Sequence, residues 1–256
     1  MMLSSFIKAV GSTAFLGLSL YLWRVGYHFS DWAILALLPM AVLLFFGSWP
    51  LIIDPWKERL HLALLPQSPL SRLLSGKFRT AFLAMTFVFV SVALLAWQCL
   101  TASPLQATIL LMLVFTAGFS FSWSQDFLVR HFRQPFARYW ATSLGTWLVA
   151  APFTLIIAWI TWSSESQPGE MLTATFQEAL KIGIDQLPAR RGLIAELLSW
   201  LYAYDAAKLW LVIQYKEYRM LAVFFSLDAA LLGFVLARAS IIITNFIGMH
   251  MNKRPK

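Results

Sequence analysis

The sequence predicts an all-α, polytopic integral membrane protein. The 256-residue chain is 59% hydrophobic and 12% charged, so it has too few polar residues to cover a soluble globule of its size. Its apolar runs are long enough to cross the membrane, which takes roughly 20 residues each. The Lys and Arg residues between these runs fall alternately on one side. We predict a single transmembrane domain over residues 1–256 with six transmembrane helices, or seven as the alternative, and with amphipathic extracytoplasmic helices before the last span.

The six predicted spans are apolar runs bounded by charged residues or by turns. The second run is the clearest, because it holds no charge between Asp31 and Asp54. The fifth run contains Pro152, which is expected to kink the helix because proline removes a backbone hydrogen bond. The spans are expected at about residues 5–24, 32–53, 80–100, 107–124, 139–162 and 220–250.

The basic residues predict the orientation. Cations cluster between spans two and three and between spans four and five, where Arg130, Arg133 and Arg138 lie. The positive-inside rule places both loops in the cytoplasm. Both termini are then cytoplasmic, while the turn at 101–106 and the segment 163–219 are extracytoplasmic. We expect the protein to reside in a bacterial inner (cytoplasmic) membrane.

The segment 163–219 differs in composition from the spans. Its first half is expected to form a helix that opens near Pro168 and carries a stripe of apolar residues at every fourth position: Leu172, Phe176, Leu180 and Ile184. The second half, from Gly192 to Arg219, mixes aromatic and charged residues, as interfacial helices do. If this half crosses the membrane instead, Asp205 and Lys208 are close enough to neutralise each other, and the count becomes seven.

The loop after the second span carries an ordered series of residues. Glu58, the leucine-rich run 60–65, the turn Pro69-Leu70-Ser71-Arg72 and the pair Gly76-Lys77 follow one another. This order resembles the cytoplasmic loop of ABC-2-type transporter permeases, in which an acidic residue precedes a short Leu-rich helix, a Pro-Leu/Val-Ser-Arg turn and a Gly-Lys at the start of span three. Six spans with both termini inside are also typical of that family.

The resemblance implies a membrane-spanning permease subunit of an exporter that dimerises and is driven by a separate cytoplasmic ATPase. The chain has no Gly-rich phosphate loop of its own, so the ATPase would be a partner subunit. The substrate class is implied only broadly, as lipids, peptides, polysaccharides or drugs. The candidate coupling residues are Lys57, Glu58, Arg59, Arg72 and Lys77. The alternative is that this loop is an ordinary basic loop facing lipid headgroups.

Two ionisable residues interrupt the last apolar run. Asp228 and Arg238 form a candidate intramembrane polar site, because a charge near the bilayer centre costs roughly 2.5–3.5 kcal/mol on insertion scales and is seldom kept on a lipid face. They are ten residues apart, roughly 15 Å along a helix, so each needs a partner from another helix or subunit. Alternatively, the span ends near one of them, which then snorkels to a headgroup.

The sequence does not predict nucleic-acid binding, catalysis, or a metal or cofactor site. The net charge of +8 is explained by topology, so no nucleic-acid partner is expected. We expect no catalytic residues, cofactor or metal, since the four histidines are dispersed. The expected partners are membrane lipids, the ATPase subunit and a homo- or hetero-oligomer. The remaining alternatives are a non-enzymatic structural or assembly component of a secretion, conjugation or envelope machine, and a channel-forming effector.

The serines at 120, 122 and 124, with Gly118, either line a polar path or serve helix packing.

Overall fold

The protein is a bundle of helices. The computed structural model describes residues 2–63, 76–133, 136–164, 171, 173–187, 192–215 and 219–251, with their side chains except at 61, 101, 157–164 and 219–229. Every regular element in these ranges is helical, which confirms the all-α class. The elements are α1 (Met2–Tyr27), a 3₁₀ helix (Asp31–Leu37), α2 (Leu38–Ala63), α3 (Lys77–Thr101), α4 (Pro104–Leu128), α5 (Phe136–Ser164), α6 (Phe176–Asp185), α7 (Leu193–Gln214) and α8 (Arg219–Met251).

The long helices identify a multi-pass integral membrane protein. Five segments of the described chain are long and apolar enough to cross a membrane: Met2–Tyr27, Asp31–Leu60, Lys77–Leu100, Pro104–Leu128 and Ala230–Met251. The 29-residue helix α5 occupies the position of the predicted fifth span. Helices α1, α3, α4, α5 and α8 each extend one to four residues beyond both ends of their predicted runs, because a helix continues through the polar residues that flank the apolar ones. The second span instead begins as the 3₁₀ helix Asp31–Leu37.

The bundle is apolar outside and partly polar inside. Large apolar side chains such as Phe82, Met85 and Phe89 on α3 are exposed, as expected where lipid replaces water around the helices. Small polar residues are buried instead, among them Ser12 and Thr146, each 0% exposed. This distribution suits a bilayer, in which close packing and interhelical hydrogen bonds hold helices together.

Helix α8 lies at the centre of the bundle. Every residue from 239 to 245 is buried, so this part of the helix is enclosed on all sides. Helices α1, α2, α4 and α5 all pack against it. The crossing with α2 is close at Gly47, where an added Cβ would lie 2.6 Å from Cγ2 of Ile242. The last helix in the chain is therefore the one that most of the others surround.

Helices α6 and α7 form a pair beside the bundle. They approach closely at Gly183, where an added Cβ would lie 2.8 Å from the carbonyl oxygen of Tyr202. The N-terminal half of α7 joins the main core through Leu198 and Tyr202. Gly192, just before α7, has a φ of +153° and lies against the Asp31 carboxylate. The described part of the segment 163–219 thus includes α6 and α7, and α7 is anchored to the bundle.

The face of α6 that contacts α7 differs from the predicted apolar stripe. The helix starts at Phe176, after a capping box between Thr175 and Glu178, and its buried residues are Ala179 and Gly183. Phe176 and Ile184 are exposed, and Leu172 lies outside the described residues. The close approach of α7 explains this difference, because only small side chains fit between the two helices.

Two loop boundaries also differ from the prediction. Helix α2 continues to Ala63 through the expected loop, with Pro55 inside it. The turn between α3 and α4 is reduced to Ala102 and Ser103, because the Ser103 side chain caps α4 in a capping box with Gln106. These changes lengthen the helices and shorten the connections.

Candidate functional site

The predicted coupling residues lie at the ends of two long helices. Lys57, Glu58 and Arg59 are exposed on the last turns of α2, and Lys77 is the exposed first residue of α3. Arg72 lies outside the described residues, as does the turn that contains it. The charged end of α2 is therefore continuous with a candidate span rather than a separate short helix.

A contact between Trp56 and Arg79 joins the ends of α2 and α3. The guanidinium carbon of Arg79 lies 4.4 Å from the centre of the Trp56 ring, within cation–π range. Gly76 precedes α3 with a φ of +70°, a left-handed conformation that favours glycine. An added Cβ at Gly76 would collide with the Trp56 indole. Helix α3 thus begins directly against the Trp56 side chain of α2.

The structure places the two predicted intramembrane residues on the central helix. Asp228 and Arg238 both belong to α8. Arg238 is half-buried, and the Asp228 side chain lies outside the described part. The two residues stand ten positions apart on one helix, and the polar site that they were expected to form stays a prediction.

Buried hydroxyls meet where α1, α4 and α8 cross. The Thr244 hydroxyl donates a hydrogen bond of 2.9 Å to Oγ of Ser12, and the Ser240 hydroxyl donates to the carbonyl oxygen of Val114. An added Cβ at Gly118 would lie 2.7 Å from the Thr244 hydroxyl oxygen. Gly118 is therefore the space into which these hydroxyls fit.

A cavity of about 340 Å³ opens beside this hydroxyl cluster. It lies between the N-terminal parts of α1 and α5 and the C-terminal parts of α4 and α8. The positive-inside prediction assigns this end of the bundle to the cytoplasmic leaflet. The cavity is lined by Lys8, Phe121, Ser122, Gln125, Arg138, Thr244, Asn245, Gly248 and Met249.

The cavity carries positive charge and amide groups. Lys8 and Arg138 supply the charge, and no carboxylate is present among the described lining residues. The end of the Lys8 side chain lies along α8, with Nζ 3.6 Å from the position of an added Cβ at Gly248. Arg138 Nη1 lies 3.7 Å from Sδ of Met249. Both cations are thus positioned against α8.

Asn245 is the most deeply buried amide of the cavity. It is 3% exposed, and its Nδ2 has no hydrogen-bond partner among the described residues. A buried amide without a partner costs roughly 1–3 kcal/mol, so such groups are uncommon in folded proteins. An Asn in this position indicates a ligand or a solvent molecule that would accept its hydrogen bond.

Sequence reasoning missed this site. Lys8 lies within the predicted first span but was not among the candidate site residues, and the structure places it in α1. Arg138 was assigned to the loop before span five, but that helix begins at Phe136 and contains it. Asn245 received no attention, although an amide within an apolar run was a usable signal.

Comparisons with known proteins give no further assignment. No protein-family model, no curated protein and no solved structure matches this chain. Within the part of the chain that the structure describes, no three His, Cys, Asp or Glu residues are grouped as a metal site would require. The candidate sites are therefore defined by their geometry: the joined ends of α2 and α3, and the cationic cavity.

Proposed function

We propose that this protein is the membrane-spanning permease subunit of an exporter driven by a separate cytoplasmic ATPase. The observation that carries the proposal is the exposed, charged end of α2, which the contact between Trp56 and Arg79 joins to α3. The exposed, charged end of α2 provides a surface to which a soluble partner can bind. The resemblance of the 58–77 loop to that of ABC-2-type permeases supplies the class of partner.

The packing of α2 gives a route for motion into the bundle. A partner bound to Lys57, Glu58 and Arg59 would displace the end of α2, and the contact with Arg79 would carry α3 along. Helix α2 also packs tightly on α8 at Gly47. Rigid helices that share such contacts move as units, which is how small displacements are transmitted.

Co-purification with the ATPase tests the proposal. The full-length protein is isolated from its native membrane, and bound ATPase is measured by mass spectrometry and by ATP hydrolysis. The double variant Lys57→Glu/Arg59→Glu should lose at least tenfold of the bound ATPase. The control Arg130→Glu/Arg133→Glu reverses two exposed cations of another loop at the same predicted face and should retain it. Absence of any ATPase with the wild-type protein, or equal binding by both variants, would contradict the proposal.

A second candidate is a structural or assembly component of an envelope machine. It is favoured by an exposed apolar stripe on α7, formed by Leu193, Leu197, Trp200 and Tyr204. These residues recur every three or four positions, so they share one helix face. The same purification distinguishes the two candidates, because this function predicts a large assembly without an ATPase.

A further inference from the structure

The charge of the cavity between α1, α4, α5 and α8 has one sign. Lys8 and Arg138 approach it from different helices, and no acidic residue lies in its described lining. A cavity lined by cationic side chains has a positive potential, which attracts groups of opposite charge. The lining that Lys8 and Arg138 contribute therefore favours a negatively charged occupant.

The polar groups of the cavity suit an anion with several oxygen atoms. Asn245 provides a buried Nδ2 donor without a partner, and Gln125 provides a second amide. Arginine presents a planar fork of donors, while lysine acts as a compact point charge. Donors that come from several helices match the oxygens of a phosphate group better than the single centre of a halide.

The location and size of the cavity fit the same occupant. Its volume of about 340 Å³ falls within the usual range of ligand pockets, roughly 300–1,000 Å³. Lys8 lies six residues from the start of α1, and Asn245 lies six residues from the end of α8. Six residues span roughly 9 Å of helix, which is a headgroup-proximal depth.

We infer that this cavity is an anion site that binds a phosphate group through Lys8, Arg138 and Asn245. The phosphate belongs either to the headgroup of an anionic lipid or to a soluble phosphate compound. Lys8 and Arg138 neutralise its charge, and Nδ2 of Asn245, which has no partner among the described residues, donates a hydrogen bond to it. The cavity shares no residue with the surface proposed to bind the ATPase, which is formed by Lys57, Glu58 and Arg59. The two proposals can therefore be tested separately.

Binding measurements on the full-length protein test the inference. The protein is purified in an uncharged detergent and titrated separately with inorganic phosphate, with phosphatidylglycerol and with phosphatidylcholine. Bound lipid is counted by native mass spectrometry, and the melting temperature is followed by tryptophan fluorescence. We expect saturable binding of phosphatidylglycerol or of inorganic phosphate, with the dissociation constant raised at least tenfold in Lys8→Gln/Arg138→Gln and about threefold in Asn245→Ala.

A matched variant separates the site from general surface charge. Arg130→Gln/Arg133→Gln removes two exposed cations of the neighbouring loop and should bind like the wild type. If the double cavity variant does not fold, Lys8→Gln alone changes a half-buried residue and should still weaken binding severalfold. Binding of phosphatidylglycerol alone assigns the site to a lipid headgroup, and binding of inorganic phosphate assigns it to a soluble compound. The inference is overturned if neither ligand binds saturably, or if the cavity variants bind as tightly as the control.

Discussion

Replacing Gly47 by alanine should destabilise the bundle by about 1 kcal/mol net. The added Cβ would lie 2.6 Å from Cγ2 of Ile242 and 3.1 Å from the Ile242 carbonyl oxygen. Carbon atoms in favourable contact lie about 3.5–4.0 Å apart, so α2 and α8 would have to separate by roughly 1 Å. Because α8 is central, this displacement would disturb its packing with the other helices.

The magnitude follows from how little the neighbouring side chain can move. Ile242 is 1% exposed, and a β-branched residue in a helix has one strongly preferred χ1 rotamer. Overpacking of a core costs about 1–3 kcal/mol, and alanine regains roughly 1 kcal/mol over glycine through helix propensity. The difference leaves a net loss of about 0–2 kcal/mol, centred near 1.

A second glycine provides the control. At Gly11 an added Cβ would lie 3.5 Å from Cδ1 of Ile247, an ordinary contact, so Gly11→Ala should stabilise the protein by about 0.5–1 kcal/mol. Both variants are unfolded by sodium dodecyl sulfate in mixed micelles, with tryptophan fluorescence as the readout. The expected gap between them is roughly 2 kcal/mol. A Gly47→Ala variant as stable as Gly11→Ala would refute the close crossing of α2 and α8.

Two further predictions concern individual hydrogen bonds. Thr244→Val removes the bond to Ser12 and should cost about 0.6 kcal/mol, the usual value between membrane helices, in the same unfolding assay; an unchanged stability would show that this bond contributes nothing. In α6, hydrogen bonds from the backbone and the side chain of Thr175 lower the pKa of Glu178 below its ordinary 4.5. The stabilisation that these hydrogen bonds give to the folded protein is then complete above pH 4.5, and it is lost as the pH falls through the lower pKa of Glu178 in the folded state. Thr175→Val keeps the backbone donor and should raise the Glu178 pKa part of the way in an NMR titration, whereas an unaltered pKa would contradict the capping contact.

Local sequence patterns predicted the helices better than their contacts. The second span was recognised because no charge interrupts it, and the short turn at Ser103 because polar residues and a proline separate two apolar runs. The contact face of α6 was not predicted, since the pattern of large apolar residues does not reveal that α7 requires Ala179 and Gly183 at the contact. The stacking of Arg79 on Trp56, which joins α2 to α3, depends on a left-handed Gly76 that no periodicity indicates.

The sequence by itself determined that this is an all-α membrane protein, because backbone groups in a bilayer must be hydrogen-bonded within helices and the side chains facing lipid must be apolar. Only the tertiary structure decided which helix is central and where polar groups converge. Lys8, Arg138 and Asn245 are distant along the chain and lie on three different helices. They meet because small residues such as Gly118 and Gly145 allow α1, α4 and α5 to approach α8 closely, and interhelical approach depends on pairs of surfaces rather than on any single segment.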